Sequence, residues 1–415
     1  KYKGRSSLVS EKHSVNDLAI FGGQPTFAEV RHVGAPNVGD RSRLLERINE
    51  ALDRRWLTND GPLVQDFEKR VAELVGVRHC VAMNNATIAL EIMIRALEIT
   101  GEVIIPSLTF IATAHALEWQ GITPVFCDVE THTFTLDVDR IEELITPRTS
   151  AIMGVHLWGH PCRIDKLTEL AQRRNLRIVF DAAHAFGCSW EGEMIGGFGD
   201  AEVFSFHATK FLNSFEGGAV TTNNDELAAK IRSMRNFGFA GYDKVISLGT
   251  NGKMSEVSAA MGLTGLDSID EFIATNRRNY QQYRDELSNV NGVSLIAYDE
   301  AEKNNYQYVV MLIDEQITGI NRDQIMDLLW AENVRARRYF YPGCHRMQPY
   351  ESRYPQPADR LPVTERLVQQ VLLVPTGTTI SSQDISRISG LIRFAVSHGK
   401  EIKQLMTAEV GTHAG

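Results

Sequence analysis

Short apolar runs alternating with helical patterns constrain this chain more than anything else in it. The candidate strands are His79–Met83, Glu102–Ile105, Thr123–Asp128, Ala151–His156, Leu176–Asp181, Glu202–Phe206 and Ala219–Thr222. Most are rich in Val, Ile and Phe, and several are apolar throughout, as strands covered on both faces are. Helical patterns such as Ile88–Leu97 and Ile164–Arg174 lie between them. Alternation of this kind predicts a three-layer α/β/α domain around a mostly parallel seven-stranded sheet.

A chain of 415 residues is too long for that domain alone. A smaller α+β C-terminal unit is expected, with strands at Tyr308–Ile313 and Val334–Tyr339 and helices at Arg322–Trp330, Ala358–Gln370 and Ser382–Ala395. Ahead of the sheet, two amphipathic helices between Arg41 and Val75 flank the loop Trp56–Pro62, whose Asn-Asp-Gly-Pro is a turn signal. The division that follows is an N-terminal arm over 1–33, carrying Gly22, Gly23 and Pro25, a large domain over 34–265, a small domain over 266–400, and a tail over 401–415.

The formal charge of −9 and the lack of a basic stripe argue against a nucleic-acid partner. The cluster Arg335, Arg337, Arg338 suits a single phosphate or carboxylate. Five scattered cysteines without a C-x-x-C pair point to a reducing compartment rather than a disulfide framework. Lys1–Ser14 lacks the apolar core of a signal peptide, and no apolar run approaches a membrane span, so the expectation is a cytoplasmic protein with no membrane partner. His156 and His160 are four apart, but Gly159 and Pro161 speak against a helix there, so no metal is expected. The glycine-rich stretch Gly192–Gly199 is not the dinucleotide fingerprint.

Three segments carry candidate chemistry. Asn84-Asn85-Ala86-Thr87 follows a strand and opens a helix, where free N–H groups and the helix dipole suit an anion; it also reads as an ordinary N-cap. Asp181, in Phe180-Asp181-Ala182-Ala183-His184-Ala185-Phe186-Gly187, ends an apolar strand, where α/β sheets place ligands. It could hold a cationic heterocyclic nitrogen or simply cap the next turn. Lys210, in Phe204-Ser205-Phe206-His207-Ala208-Thr209-Lys210 ahead of Glu216-Gly217-Gly218, is a desolvated nucleophile or a solvated loop lysine.

Taken together, in that order and spacing, these segments resemble the DegT/StrS sugar aminotransferases among the fold-type-I pyridoxal-phosphate enzymes. Pro106-Ser107-Leu108-Thr109-Phe110-Ile111-Ala112-Thr113, Val155-His156-Leu157-Trp158-Gly159-His160-Pro161 and Gly249-Thr250-Asn251-Gly252-Lys253-Met254-Ser255-Glu256 match as well. The resemblance runs from about Arg41 to the last helix. It implies the aspartate aminotransferase fold, Lys210 as the Schiff-base lysine and Asp181 on the pyridine nitrogen. It implies further that Phe110 stacks on the ring, that Ala86, Thr87 and Ser205 bind the phosphate, and that His184 stands near the phenolic oxygen. Asn251 would reach the neighbouring subunit's cofactor, which makes the protein a homodimer with shared sites. Thr58, Glu216, Lys253 and His345 would contact substrate. Four positions depart from the usual pattern: Asn85 for serine, His184 for glutamine, and Asn59-Asp60 for a glycine-containing loop.

His207 with Glu216-Gly217-Gly218 resembles the branch that aminates C4 of 4-keto-6-deoxy sugars. The implied reaction moves an amino group from L-glutamate to a dTDP-linked keto-sugar, with Arg31, Arg337 and Arg338 as candidate diphosphate partners. The alternatives are a C3-aminating enzyme and a pyridoxal-phosphate sugar dehydratase, whose relatives put histidine at the position of Lys210. A non-catalytic binding protein and a nicotinamide-dependent oxidoreductase are the other two.

Overall fold

In the computed structural model, residues 12–357 and 359–412 are described. Seven strands form the central sheet: β1 (His79–Met83), β2 (Glu102–Pro106), β3 (Thr123–Cys127), β4 (Thr149–Val155), β5 (Arg177–Asp181), β6 (Ala201–Ser205) and β7 (Gly218–Thr222). Their order across the sheet is β1-β7-β6-β5-β4-β2-β3. All neighbours are parallel except where β7 inserts antiparallel between β1 and β6. All of the seven expected strands form, with ends shifted by a residue or two. The sheet is buried on both faces. On one side lie α1 (Arg41–Arg54), α2 (Pro62–Val75) and Ile164–Arg174. On the other lie α3 (Ala86–Ala96), α4 (Ile111–Glu118) and Asp225–Arg235. Apolar-throughout strands follow directly from that double cover.

Parallel strands put all their C-terminal ends on one edge. Asp181 closes β5, Ser205 closes β6 and Val155 closes β4. The antiparallel β7 begins at that same edge, because Gly218 pairs with Ser205 and with Met83.

The second unit is built on a three-stranded antiparallel sheet, with β9 (Val309–Ile313) between β8 (Val293–Leu295) and β10 (Val371–Val374). Neither β8 nor β10 was expected; each is too short to show a period of its own. The expected strand Val334–Tyr339 shrinks to Val334–Arg335, paired with Arg31–His32. The expected helix over Ala358–Gln370 starts instead at Pro362, with proline in its first turn. The expected tail is largely helix, Gly399–Thr412.

Two boundaries need correction. The N-terminal segment from Lys12 onward is no free arm. Val15, Leu18 and Phe27 are buried in the small-domain core. The buried carboxylate of Glu332 accepts from the Ala19 and Thr26 N–H groups and pairs with Lys12. That carboxylate offers orphan backbone donors a partner, which composition alone could not reveal. The rest of the proposed arm, residues 1–11, lies outside the described residues. The large domain also ends later than 265. Helix Ile269–Leu287 spans both cores, giving Phe272 to the first and Tyr280, Tyr283 and Leu287 to the second.

Leu108, Val129, Leu157 and Trp158 of the large domain pack with Ile296, Tyr308, Val310 and Phe340 of the small one. The C-terminal edge of the sheet faces this junction.

Candidate active site

A cavity of about 300 Å³ opens where the strand ends meet the junction. Asn85, Ala86, Thr87, Phe110, Asp181, His184, Ser205, His207, Lys210 and Glu216 all line it. Nearly every cofactor residue expected from the sequence therefore converges on one space.

Asp181 is buried. Thr113 Oγ1 donates to its Oδ2 at 2.8 Å and the Ala183 N–H to its Oδ1 at 3.1 Å. Burial raises its pKa, while those two donors and the Lys210 charge pull the other way. Lys210 follows β6 in a turn closed by its N–H on the His207 carbonyl at 2.8 Å. Burial lowers its pKa to about 8, against the pull of Asp181. An amine poised there can give or take a proton near neutrality. The two groups thus sit on the same side of the sheet, within each other's field.

An anion cup lies at the start of α3. The Asn85 side chain accepts from the Ile88 N–H at 2.8 Å, which uses one of the helix's orphan donors. Ala86 and Thr87, the first helical residues, have no intrahelical acceptor for theirs and line the cavity. Ser205 adds a hydroxyl. A Cβ on Gly218 would stand 2.5 Å from Ala86 N, so only glycine lets β7 lie this close beneath the cup.

His184 is buried, and the Trp158 N–H donates to its Nδ1 at 3.2 Å. With Nδ1 accepting, the proton of the neutral ring is on Nε2. Burial, then the Lys210 charge, holds its pKa well below the usual histidine range. The ring is therefore a neutral donor. Phe110 is 56% exposed although the four residues before it are buried, and it presents an apolar ring to the cavity.

Pyridoxal phosphate fits this donor set. The helix start, Ser205 and the Gly218 approach suit its phosphate, and Asp181 suits its ring nitrogen. The His184 N–H suits its phenolic oxygen and Lys210 its aldehyde. Residues 39–393 match the model of the DegT/DnrJ/EryC1/StrS aminotransferase family. A dTDP-4-amino-4,6-dideoxy-D-glucose transaminase from Escherichia coli is 34% identical over 87% of this chain and 97% of its own length. One of the same name from Shigella dysenteriae is 37% identical over 87% and 98%. The solved structure of DesI in the presence of its TDP-sugar product superposes with a TM-score of 0.91 at 52% identity, covering 95% of this chain and all of DesI.

The substrate residues expected from the sequence fare less evenly. Glu216 lines the cavity, 3.5 Å from His207 Nε2. Thr58 is exposed on its loop, next to the Asp60 that pairs with Arg235 at 3.1 Å. Lys253 donates to Asn251 Oδ1 at 2.7 Å; neither lines the cavity of this chain. His345 does not line it either. It is 2% exposed, with Nδ1 bonded to Ser107 Oγ and Nε2 2.9 Å from Glu365 Oε1. Nδ1 thus ties the ring to the Ser107–Thr109 loop and Nε2 ties it to Glu365.

Of the arginines, Arg31 lies 3.5 Å from Asp384 and Arg338 2.7 Å from Asp323. Arg337 lines the cavity, exposed and without an ion-pair partner among the described residues. Sequence reasoning missed Thr113 and Tyr308, and it gave no role to Tyr339 or Phe340. The available signal at Tyr308 was a polar Asn-Asn-Tyr-Gln run leading to a tyrosine at the mouth of an apolar strand.

Proposed function

Because the chain belongs to the DegT/DnrJ/EryC1/StrS aminotransferase family, we propose that it aminates C4 of a dTDP-4-keto-6-deoxyhexose, with L-glutamate as the amine donor. The observation that carries this is the pairing of Lys210 and Asp181 in one desolvated cavity beside an anion cup. The identity with DesI supports the nucleotide-sugar substrate, and the names of the bacterial relatives support the C4 position.

Bound pyridoxal phosphate supplies an electron sink that lets a C–H bond next to nitrogen ionise. The chain supplies the rest. Asp181 holds a negative charge where a heterocyclic nitrogen must stay protonated. Ala86, Thr87 and Ser205 anchor the phosphate. His184 offers its Nε2 proton to an anionic oxygen. Lys210 would hold the aldehyde end of the cofactor, and as a free amine it would give or take the proton at the substrate carbon. Positioned transfer of this kind contributes about 10²–10⁴-fold.

Arg337 at the cavity wall is the cation placed to meet the diphosphate. A homodimer with shared sites is supported by the loop over 237–248. It exposes Phe237, Phe239, Tyr242, Val245, Ile246 and Leu248, a cluster of large apolar side chains of the kind that marks an interaction surface. Asn251, at the base of that loop and paired with Asn236, would then reach the partner's cup. Lys253 and Thr58 would join substrate from the same side.

The test is product analysis by mass spectrometry after incubation with glutamate and a panel of dTDP- and UDP-linked 3-keto and 4-keto hexoses. Amination of the dTDP 4-keto sugar alone is expected. Amination of 3-keto sugars only would move the reaction to C3.

A further inference from the structure

Lys210 has a partner from the other domain. Its Nζ donates to the Tyr308 hydroxyl at 3.3 Å. Tyr308 immediately precedes β9, the middle strand of the small sheet, yet its ring lines the large domain's cavity. It is held there tightly. Its carbonyl accepts from Tyr298 Oη at 2.9 Å, and its ring packs edge-on against His184 with centroids 4.9 Å apart. The preceding residue grips the same turn, since Gln307 Oε1 accepts from the Phe211 N–H at 3.1 Å. Two successive small-domain residues thus clasp two successive residues of the lysine turn.

Resting on the aminotransferase reading, we infer that Tyr308 is a further catalytic residue, whose phenol fixes the Lys210 amine while that amine carries a proton. A phenol suits this position better than a carboxylate. It accepts from an ammonium and donates to a neutral amine, so the lysine keeps one hydrogen bond in both protonation states. A carboxylate only accepts. Burial, then the Tyr339 phenol, raises the Tyr308 pKa, so its proton stays on. Two of the other polar groups nearby already have partners. Both Asp181 oxygens already accept hydrogen bonds, and His184 Nδ1 accepts from Trp158. Tyr308 is also the means by which the small domain's position reaches the reacting nitrogen.

The test is Tyr308→Phe in the holoenzyme, which keeps the packing and removes one oxygen. We expect kcat to fall roughly 10–100-fold, the worth of one hydrogen bond to a charged group, with both KM values within about threefold. The pH midpoint of the bound cofactor's visible absorption should move by roughly one pH unit. Unchanged kcat together with an unmoved midpoint would overturn the inference. Should the variant fail to fold, site-specific 3-fluorotyrosine at 308 changes the phenol's acidity without changing its shape. It should move the midpoint, and an unmoved midpoint there overturns the inference equally. A wild-type protein that develops no visible band with pyridoxal phosphate would instead sink the aminotransferase reading itself.

Discussion

The two walls of the cavity are assembled in different ways. On the large-domain wall, the working groups sit at or just past the ends of secondary elements. Asp181 is the last residue of β5, Ser205 the last of β6, and Ala86 the first of α3. Their positions are set by one sheet with a continuous ladder from β1 to β3. On the small-domain wall, Tyr308, Arg337, Tyr339 and Phe340 arrive from irregular segments between elements. They meet the cavity only because Leu108, Trp158 and Val310 lock the two domains together. The first wall therefore fixes most of the reacting groups, and the second, Tyr308 apart, sets access and fit, as rigid scaffolds and variable loops generally divide their work.

On that division, the largest losses come from the sheet wall. Asp181→Asn keeps the shape and can keep the Thr113 contact, but it removes the charge. We expect kcat to drop roughly 10²–10³-fold, the usual cost of removing one preorganised electrostatic group. Single-turnover reaction with glutamate, followed by absorbance, measures it. A loss under tenfold would place the two walls on an equal footing.

The same contrast decides what could be read in advance. The sheet wall was legible because its residues are tied to local pattern: an apolar run ends, a turn follows, and the functional residue stands at the join. All seven central strands were found this way, and local pattern offered Asp181 and Lys210 as candidates, while the family resemblance supplied their roles and that of Ser205. The small-domain wall was not legible. Tyr308 looks like any tyrosine at a strand's start, and what makes it functional is a distance to a lysine far away in sequence. The docked N-terminal segment failed for a similar reason. Its anchor is Glu332, a carboxylate on the far side of the chain that no local period announces. His345 differs in the opposite direction. The motif placed it correctly beside the cavity loop, but its rotamer turns both nitrogens away from the cavity.

A mid-sized effect would sharpen the role of the second wall. Arg337 is exposed and carries no ion pair among the described residues, so its charge is free for a ligand. Arg337→Ala should raise KM for the dTDP-sugar about tenfold while kcat stays within about twofold, the signature of lost uniform binding. Because the group is screened by solvent, high salt should shrink the difference between variant and wild type. A fall in kcat with unchanged KM would mean that Arg337, like Tyr308, acts on the reacting groups rather than on binding.

The smallest effect on turnover is expected where motif and structure disagree. His345→Gln removes a buried ring that ties Ser107 to Glu365. Turnover should stay within about threefold of wild type, while stability falls by about 1–3 kcal/mol in denaturant titrations, the cost of leaving buried partners unmet. The pH dependence gives a second readout. Burial holds the His345 pKa below its ordinary value, against the pull of Glu365. A histidine of lowered folded pKa binds its proton more readily in the unfolded chain, so its contribution is present above the ordinary histidine value and is lost as pH falls below it. Wild type should therefore lose stability over that descent, and the glutamine variant should lose less. A tenfold rise in KM for the nucleotide sugar with stability unchanged would show instead that the ring turns into the cavity when substrate binds, and the boundary between the two walls would then have to be redrawn through the Ser107–Thr109 loop.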